Sequence, residues 1–131
     1  MISKELNDYL HGIITVDLFK NGIRSEVVNY KNLLEKKGST INLYYDDVET
    51  IYLKNNDVVK LLEETLGGKL TNIELTYICE CLTLAQNIEF ENEQVHESIF
   101  EIADPEINGG FKTETELKIM LANLNEQRNC L

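Results

Sequence analysis

The segment from Thr71 to about Gln86 constrains the fold most, because it is apolar around most of a helix. Thr71 and Glu74 stand three residues apart as in a capping box, which predicts that a helix begins here. Two apolar stripes follow at helical spacing: Leu75, Ile78, Leu82 and Ala85, and then Ile73, Tyr77, Cys81 and Leu84. The polar strip holds only Thr76, Glu80 and Thr83. We therefore expect this helix at the centre of the fold.

The rest of the chain also shows mainly helical periodicity. Asn21-Gly22 predicts a break, with Ser25 capping the helix that follows. Further helices are expected to begin near Asp57, at Asn92 and at the capping box of residues 113–116. We predict a mainly α fold: one globular domain over residues 1–131, a bundle of about five or six helices around a central apolar helix. The tail from about residue 126 is expected to fray.

Residues 40–54 allow two interpretations. Ile41, Leu43 and Tyr45 recur at every second position, which is typical of a strand. Asp46-Asp47 then interrupts the pattern, so a small β-hairpin is one prediction. A helix from Asp46 or Asp47 to Lys54 is the other.

Charge is distributed unevenly along the chain. The net charge is -11, and residues 70–111 contain nine acids and no Lys or Arg. Such a surface disfavours nucleic acid and anionic membranes as partners. It favours a basic protein as the partner, or simply solubility. The oligomeric state cannot be derived from these patterns.

The three cysteines, Cys79, Cys81 and Cys130, predict free thiols rather than a disulfide. Cys79 and Cys81 stand two residues apart on the central helix, where their side chains point in different directions. The N-terminus lacks a basic region followed by an apolar stretch, and no apolar run approaches the length of a membrane span. We expect a reduced, cytoplasmic protein.

Few residues of the chain could support catalysis. The two histidines, His11 and His96, belong to no recognisable sequence motif of a nucleophilic site. Asp104, Glu106 and Asn108 imitate the opening of a calcium loop, but Thr115 stands where the closing bidentate Glu belongs. We predict that the chain is not an enzyme and uses no metal or cofactor.

The first candidate for partner binding is a row of acids on the helix that begins at Asn92. Glu93, Glu97, Glu101 and Asp104 follow at spacings of four, four and three residues. Like charges at such spacing cost a helix about 0.2–0.5 kcal/mol per pair, so the row indicates a role beyond helix stability. The alternative is an ordinary solvated face.

The second candidate is a compact cluster of aromatic and acidic residues: Tyr44, Asp46, Asp47 and Glu49. Tyrosine beside carboxylates suits a surface rich in Lys or Arg. The alternative is a core tyrosine followed by a turn, since turns favour Asp for local reasons.

The chain resembles bacterial immunity proteins in size, acidity and lack of catalytic residues, and residues 100–109 are similar to segments of that group. These proteins neutralise a cognate toxin of contact-dependent or polymorphic toxin systems. The resemblance implies a basic toxin domain, often a nuclease, as the partner. A second hypothesis is an acidic inhibitor that mimics nucleic acid toward a DNA- or RNA-binding protein. A small enzyme built from dispersed carboxylates ranks last.

Overall fold

A computed structural model describes residues 1–36, 43–103 and 110–129, with side chains to residue 126 in the last range. The described residues form six helices: α1 (Ser3–Leu10), α2 (Val16–Glu35), α3 (Asn55–Leu66), α4 (Asn72–Leu84), α5 (Glu93–Ala103) and α6 (Glu114–Asn129). Two short strands, β1 (Ile51–Leu53) and β2 (Ile88–Phe90), complete the fold. The prediction of a mainly helical bundle is confirmed.

Helix α4 occupies the centre, as its two apolar stripes predict. It packs against α2, α3 and α5. Its capping box is formed: the Thr71 hydroxyl accepts from the Glu74 N–H at 3.2 Å, and the Glu74 carboxylate accepts from the Thr71 N–H at 2.8 Å. Thr76 departs from the predicted polar strip because it is buried, and its hydroxyl donates to the Asn72 carbonyl at 2.8 Å. At the other end, Leu84 closes the helix and is exposed.

Helix α2 is continuous, so the break predicted at Asn21-Gly22 is wrong. Thr15 caps the helix by accepting from the Leu18 N–H at 3.2 Å. A carboxylate oxygen of Glu5 lies 2.7 Å from the position that a Cβ on Gly22 would occupy. The glycine thus leaves room for a side chain of α1, and this packing outweighs its low helix propensity.

Residues 43–54 contain one short strand, β1, which lies after Asp46-Asp47 rather than at the predicted alternation before it, and they form neither the hairpin nor the helix. β1 pairs in parallel with β2, and Ile51 stands opposite Ile88. Asp46 makes one further parallel bridge, to Ile2. Parallel strands need a long connection, and α3 and α4 supply it. The hairpin prediction is therefore wrong for the described residues, and residues 37–42 lie outside them.

The cysteines of α4 belong to the core. Cys79 and Cys81 are buried and free. Burial raises the pKa of Cys81 to about 11 and raises the pKa of Cys79 as well, so both thiols stay protonated at neutral pH. Cys130 lies outside the described residues. None of the described helices is long and apolar enough to span a membrane.

Candidate functional site

The outward face of α5 carries the first predicted set of acids. With 3.6 residues per turn, one arc of this helix is made of His96, Phe100, Glu93, Glu97 and Glu101, all exposed. The opposite arc is buried against the core: Val95, Ser98, Ile99, Ile102 and Ala103. The structure thus aligns three of the four predicted acids on one exposed face, and Asp104 lies outside the described residues.

The position of α5 is fixed at its N-terminus and along its buried arc. The Asn92 side chain accepts from the Val95 N–H at 2.9 Å, which is an N-cap contact. β2 ends two residues before Asn92, and α5 packs against both α4 and α6. The exposed arc therefore stands on a helix whose orientation is set by the core.

Three aromatic rings lie beside the acids and form what we call the aromatic ridge: Phe90, His96 and Phe100. The His96 ring lies 4.7 Å from Phe90, edge to face, and 4.5 Å from Phe100, measured between centroids. Phe100 remains 43% exposed, although an isolated phenyl ring gains from burial. No prediction above includes this ridge, although His96 and Phe100 stand four residues apart, a spacing at which helical side chains touch.

The predicted acid row is not uniformly free. Lys112, which is only 9% exposed, places its ammonium 3.0 Å from Glu101 and 3.5 Å from Glu116. Glu101 is therefore partly neutralised by a base from the segment before α6. By contrast, no described Lys or Arg forms an ion pair with Glu93 or Glu97.

A small recess opens beside the same acids, between α5 and α6. Its volume is about 170 Å³, and Glu97, Glu101, Ser98 and Asn123 contribute polar atoms to its lining. Carboxylate, hydroxyl and amide oxygens are acceptors, so the recess suits the end of a cationic side chain. We call the acids Glu93 and Glu97, the aromatic ridge and this recess together the α5 face.

The second predicted set of acids is used inside the fold. Asp47 accepts from the backbone N–H of Gln86 at 2.7 Å and of Asn87 at 3.2 Å. The Asn87 side chain returns a hydrogen bond to the Asp47 carbonyl at 2.7 Å. Asp47 therefore links the end of α4 to the start of β2, and its role is structural.

The other members of this cluster are also engaged. Asp46 accepts from the Val48 N–H at 3.0 Å, and Glu49 accepts from the Asn7 side chain at 3.2 Å. The Tyr44 ring is exposed, while its carbonyl accepts from the amino group of Met1. Each of the three acids thus accepts a hydrogen bond within the fold, and partner binding by this segment stays a prediction.

The two predicted sets make their described contacts with different parts of the fold. Asp46, Asp47 and Glu49 contact their own segment, α1 and the end of α4, whereas the acids of α5 adjoin α6. In the part of the chain that the structure describes, no group of three or more His, Cys, Asp or Glu residues could hold a metal ion. Comparisons with protein-family models, curated proteins and solved structures find no match to the chain.

Proposed function

We propose that this protein binds and neutralises a basic toxin domain, often a nuclease in such systems, through the α5 face. One observation carries the proposal: exposed Phe100 and His96 stand directly beside Glu93 and Glu97. Neither of these acids forms an ion pair with a described Lys or Arg. Interfaces commonly combine a desolvated aromatic anchor with a charged rim, and this face offers both.

The two kinds of group would contribute differently to binding. Phe100 supplies apolar area that a partner can cover, which slows dissociation. Glu93 and Glu97 attract a basic surface over a distance of about 8–10 Å at ordinary salt, which speeds association. The recess between α5 and α6 supplies acceptors for one Lys or Arg of the partner.

Mimicry of nucleic acid is supported less well. A protein that imitates nucleic acid needs several anionic groups in an unbroken series, because a nucleic-acid strand carries one phosphate per nucleotide. Lys112 interrupts the series at Glu101, and the aromatic ridge borders it on the other side. The α5 face therefore suits a basic protein that also makes one apolar contact. It suits the role of imitating a phosphate backbone less well.

The test is co-expression with the product of the adjacent gene, followed by co-purification and a growth-protection assay. We expect the wild-type chain to retain that product and to protect the cells. Glu93→Lys with Glu97→Lys should abolish both, because like charges would then face each other. Glu35→Lys with Glu63→Lys is the matched control, since both acids are exposed on other helices and the charge change is equal.

Circular dichroism should show that both double variants fold. Equal retention by both variants would refute the α5 face as the binding surface. Inhibition of several unrelated DNA-binding proteins by the wild-type chain would instead favour the nucleic-acid mimic.

A further inference from the structure

We propose a second binding site, which takes an acidic peptide segment carrying one bulky apolar side chain. The site is a groove of about 390 Å³ between α2 and the beginning of α4. We call it the basic groove, and the residues that define it are Lys20, Arg24, Lys31, Val27, Val28 and Ile73. Its volume lies in the range of clefts that hold small ligands or short peptide segments.

Two of the three cations of the groove, Arg24 and Lys31, form no ion pair with a described acid. Lys20 pairs with Glu74 at 3.4 Å, but the Arg24 guanidinium donates only to the neutral Asn21 amide, at 3.0 Å, among described residues. No described carboxylate forms an ion pair with Arg24 or Lys31. The groove is thus lined by three cations and by the single acid Glu74, in a chain of net charge -11.

Helix energetics do not explain this placement. Lys20 and Arg24 stand four residues apart on α2, where like charges cost about 0.2–0.5 kcal/mol. Lys31 lies seven residues beyond Arg24 and lines the same groove. Three cations are thus directed to one groove at a small cost to the helix that bears them.

The floor of the groove is apolar and open to a ligand. Val28 is 55% exposed, and Val27 and Ile73 are half-buried next to it. Val27 and Val28 lie between Arg24 and Lys31 along α2, and Ile73 of α4 lines the same groove. The carboxylates of a ligand that contact these cations would therefore stand on either side of its apolar group. Covering such area contributes about 25 cal/mol per Å² before the costs of association.

The spacing of the cations favours an elongated ligand. At 1.5 Å per residue, Arg24 and Lys31 are about 10 Å apart along the axis, and Lys20 extends the row to about 16 Å. A single phosphate or carboxylate cannot contact all three cations, whereas a peptide with two or three acids can. Glu74 at the rim faces Lys20, so the end near Arg24 and Lys31 provides most of the attraction.

Long-range electrostatics favours a short acidic peptide over larger polyanions as the ligand of the basic groove. A nucleic acid or an anionic bilayer extends well beyond the groove and would meet the field of a chain with net charge -11. A segment with two or three carboxylates covers little beyond the groove itself. This site is independent of the α5 face: it has the opposite charge, and the central helix α4 packs against both α2 and α5.

The test begins with a phage-displayed library of random twelve-residue peptides, selected on the wild-type protein. We expect a recovered class with at least two Asp or Glu residues around an apolar one. Fluorescence anisotropy of synthetic members should show at least tenfold weaker binding to Arg24→Gln with Lys31→Gln. Val28→Ser should weaken the same peptides several-fold, and because Val28 is exposed this variant should fold.

Lys4→Gln with Lys118→Gln is the matched control, because both lysines are exposed and the net charge changes equally. Binding to this variant should stay within twofold of wild type. Failure to recover an acidic class would overturn the proposal, as would equal loss in both double variants. Binding of phosphatidylglycerol vesicles or of a single-stranded oligonucleotide that depends on Arg24 and Lys31 would refute a peptide as the occupant.

Discussion

Two regions of this molecule carry the same kinds of residue and use them in opposite ways. In residues 44–49, the Asp47 carboxylate binds backbone amides of residues 86 and 87, and Asp46 binds the Val48 amide. On α5, Glu93 and Glu97 project from the exposed arc without a described basic partner. The comparison teaches that acids with similar neighbours in sequence can differ in whether the fold already uses their oxygens as hydrogen-bond acceptors.

Backbone hydrogen bonding explains the difference. An irregular segment or a strand end leaves N–H groups without a ladder partner, and nearby carboxylates satisfy them. A helix satisfies its own N–H groups beyond the first turn, so a carboxylate such as Glu97, in the second turn of α5, finds no such donor. The acids after Tyr44 therefore accept hydrogen bonds within the fold, whereas Glu93 and Glu97 form no ion pair with a described base.

The largest expected effect is on binding by the α5 face. If the proposed complex with a basic toxin domain forms through this face, Phe100→Ala should weaken it by about 2–4 kcal/mol, since an aromatic anchor would be lost. Isothermal titration calorimetry measures this change. Tyr44→Ala is the control, because the Tyr44 ring is also exposed, and it should change affinity little. A larger loss of affinity for Tyr44→Ala than for Phe100→Ala would show that residues 44–49, and not α5, provide the binding surface.

The next effect is on stability. Asp47→Ala removes a charged acceptor from two backbone N–H groups and should lower the free energy of unfolding by about 1.5–3 kcal/mol. Glu97→Gln, on the exposed arc, should change it by less than about 0.5 kcal/mol. Urea denaturation of the two variants distinguishes them, and equal stabilities would contradict a structural role for Asp47.

An alkaline titration tests whether the Tyr44–Glu49 segment is packed inward. Burial, with a smaller effect of Asp47, raises the pKa of Tyr45 from 10.0 to about 12. Below pH 10 this contribution to stability is complete, and it is lost as the pH rises through about 12, because the unfolded chain releases its proton first. The loss should be about 1 kcal/mol, allowing for solvent screening of a half-buried group.

Tyr45→Phe should remove this part of the alkaline decline while changing stability little at pH 7. Its hydroxyl has no described hydrogen-bond partner, so no bond is lost. Urea denaturation at pH 7, 9 and 11 gives the comparison. An identical decline in the wild type and the variant would show that Tyr45 is not held inside.

The smallest effect concerns Lys112, which ties Glu101 to the α6 side. Lys112→Gln removes the cation that lies beside Glu101 and Glu116, which makes this side of the α5 face more negative, and it should speed association with a basic partner about two- to threefold at low salt. Stopped-flow fluorescence measures the rate. Lys118→Gln, which frees only Glu114 on α6, is the control. A slower association rate for the Lys112 variant would mean that the ion pair between Lys112 and Glu101 holds α5 in position, and that its effect on the negative charge of the α5 face is minor.

The sequence was sufficient to predict features that depend on local periodicity. The stripes of α4 and its capping box are short-range patterns, and the structure confirms them. The exposed row of Glu93, Glu97 and Glu101 follows from the same helical spacing. These predictions succeeded because each depends on neighbours within one or two helical turns.

Features that depend on distant contacts were not predicted. The pairing of β1 with β2 joins residues far apart in sequence, and Gly22 lies within α2 next to the Glu5 carboxylate of α1 instead of ending a helix. Lys112 reaches Glu101 from the other side of residues 104–109, which lie outside the described part of the chain. The sequence could not distinguish the structural role of Asp47 from the exposed position of Glu97, because the amides that Asp47 binds are 39 and 40 residues away.

Hydrogen–deuterium exchange on the protein, alone and with the toxin domain bound, tests the central claim most directly. It reports both candidate regions in one experiment, without any substitution. We predict slower exchange on binding at residues 90–101 and unchanged exchange at residues 43–49. Slowing confined to residues 43–49 would contradict the assignment of the α5 face as the binding surface.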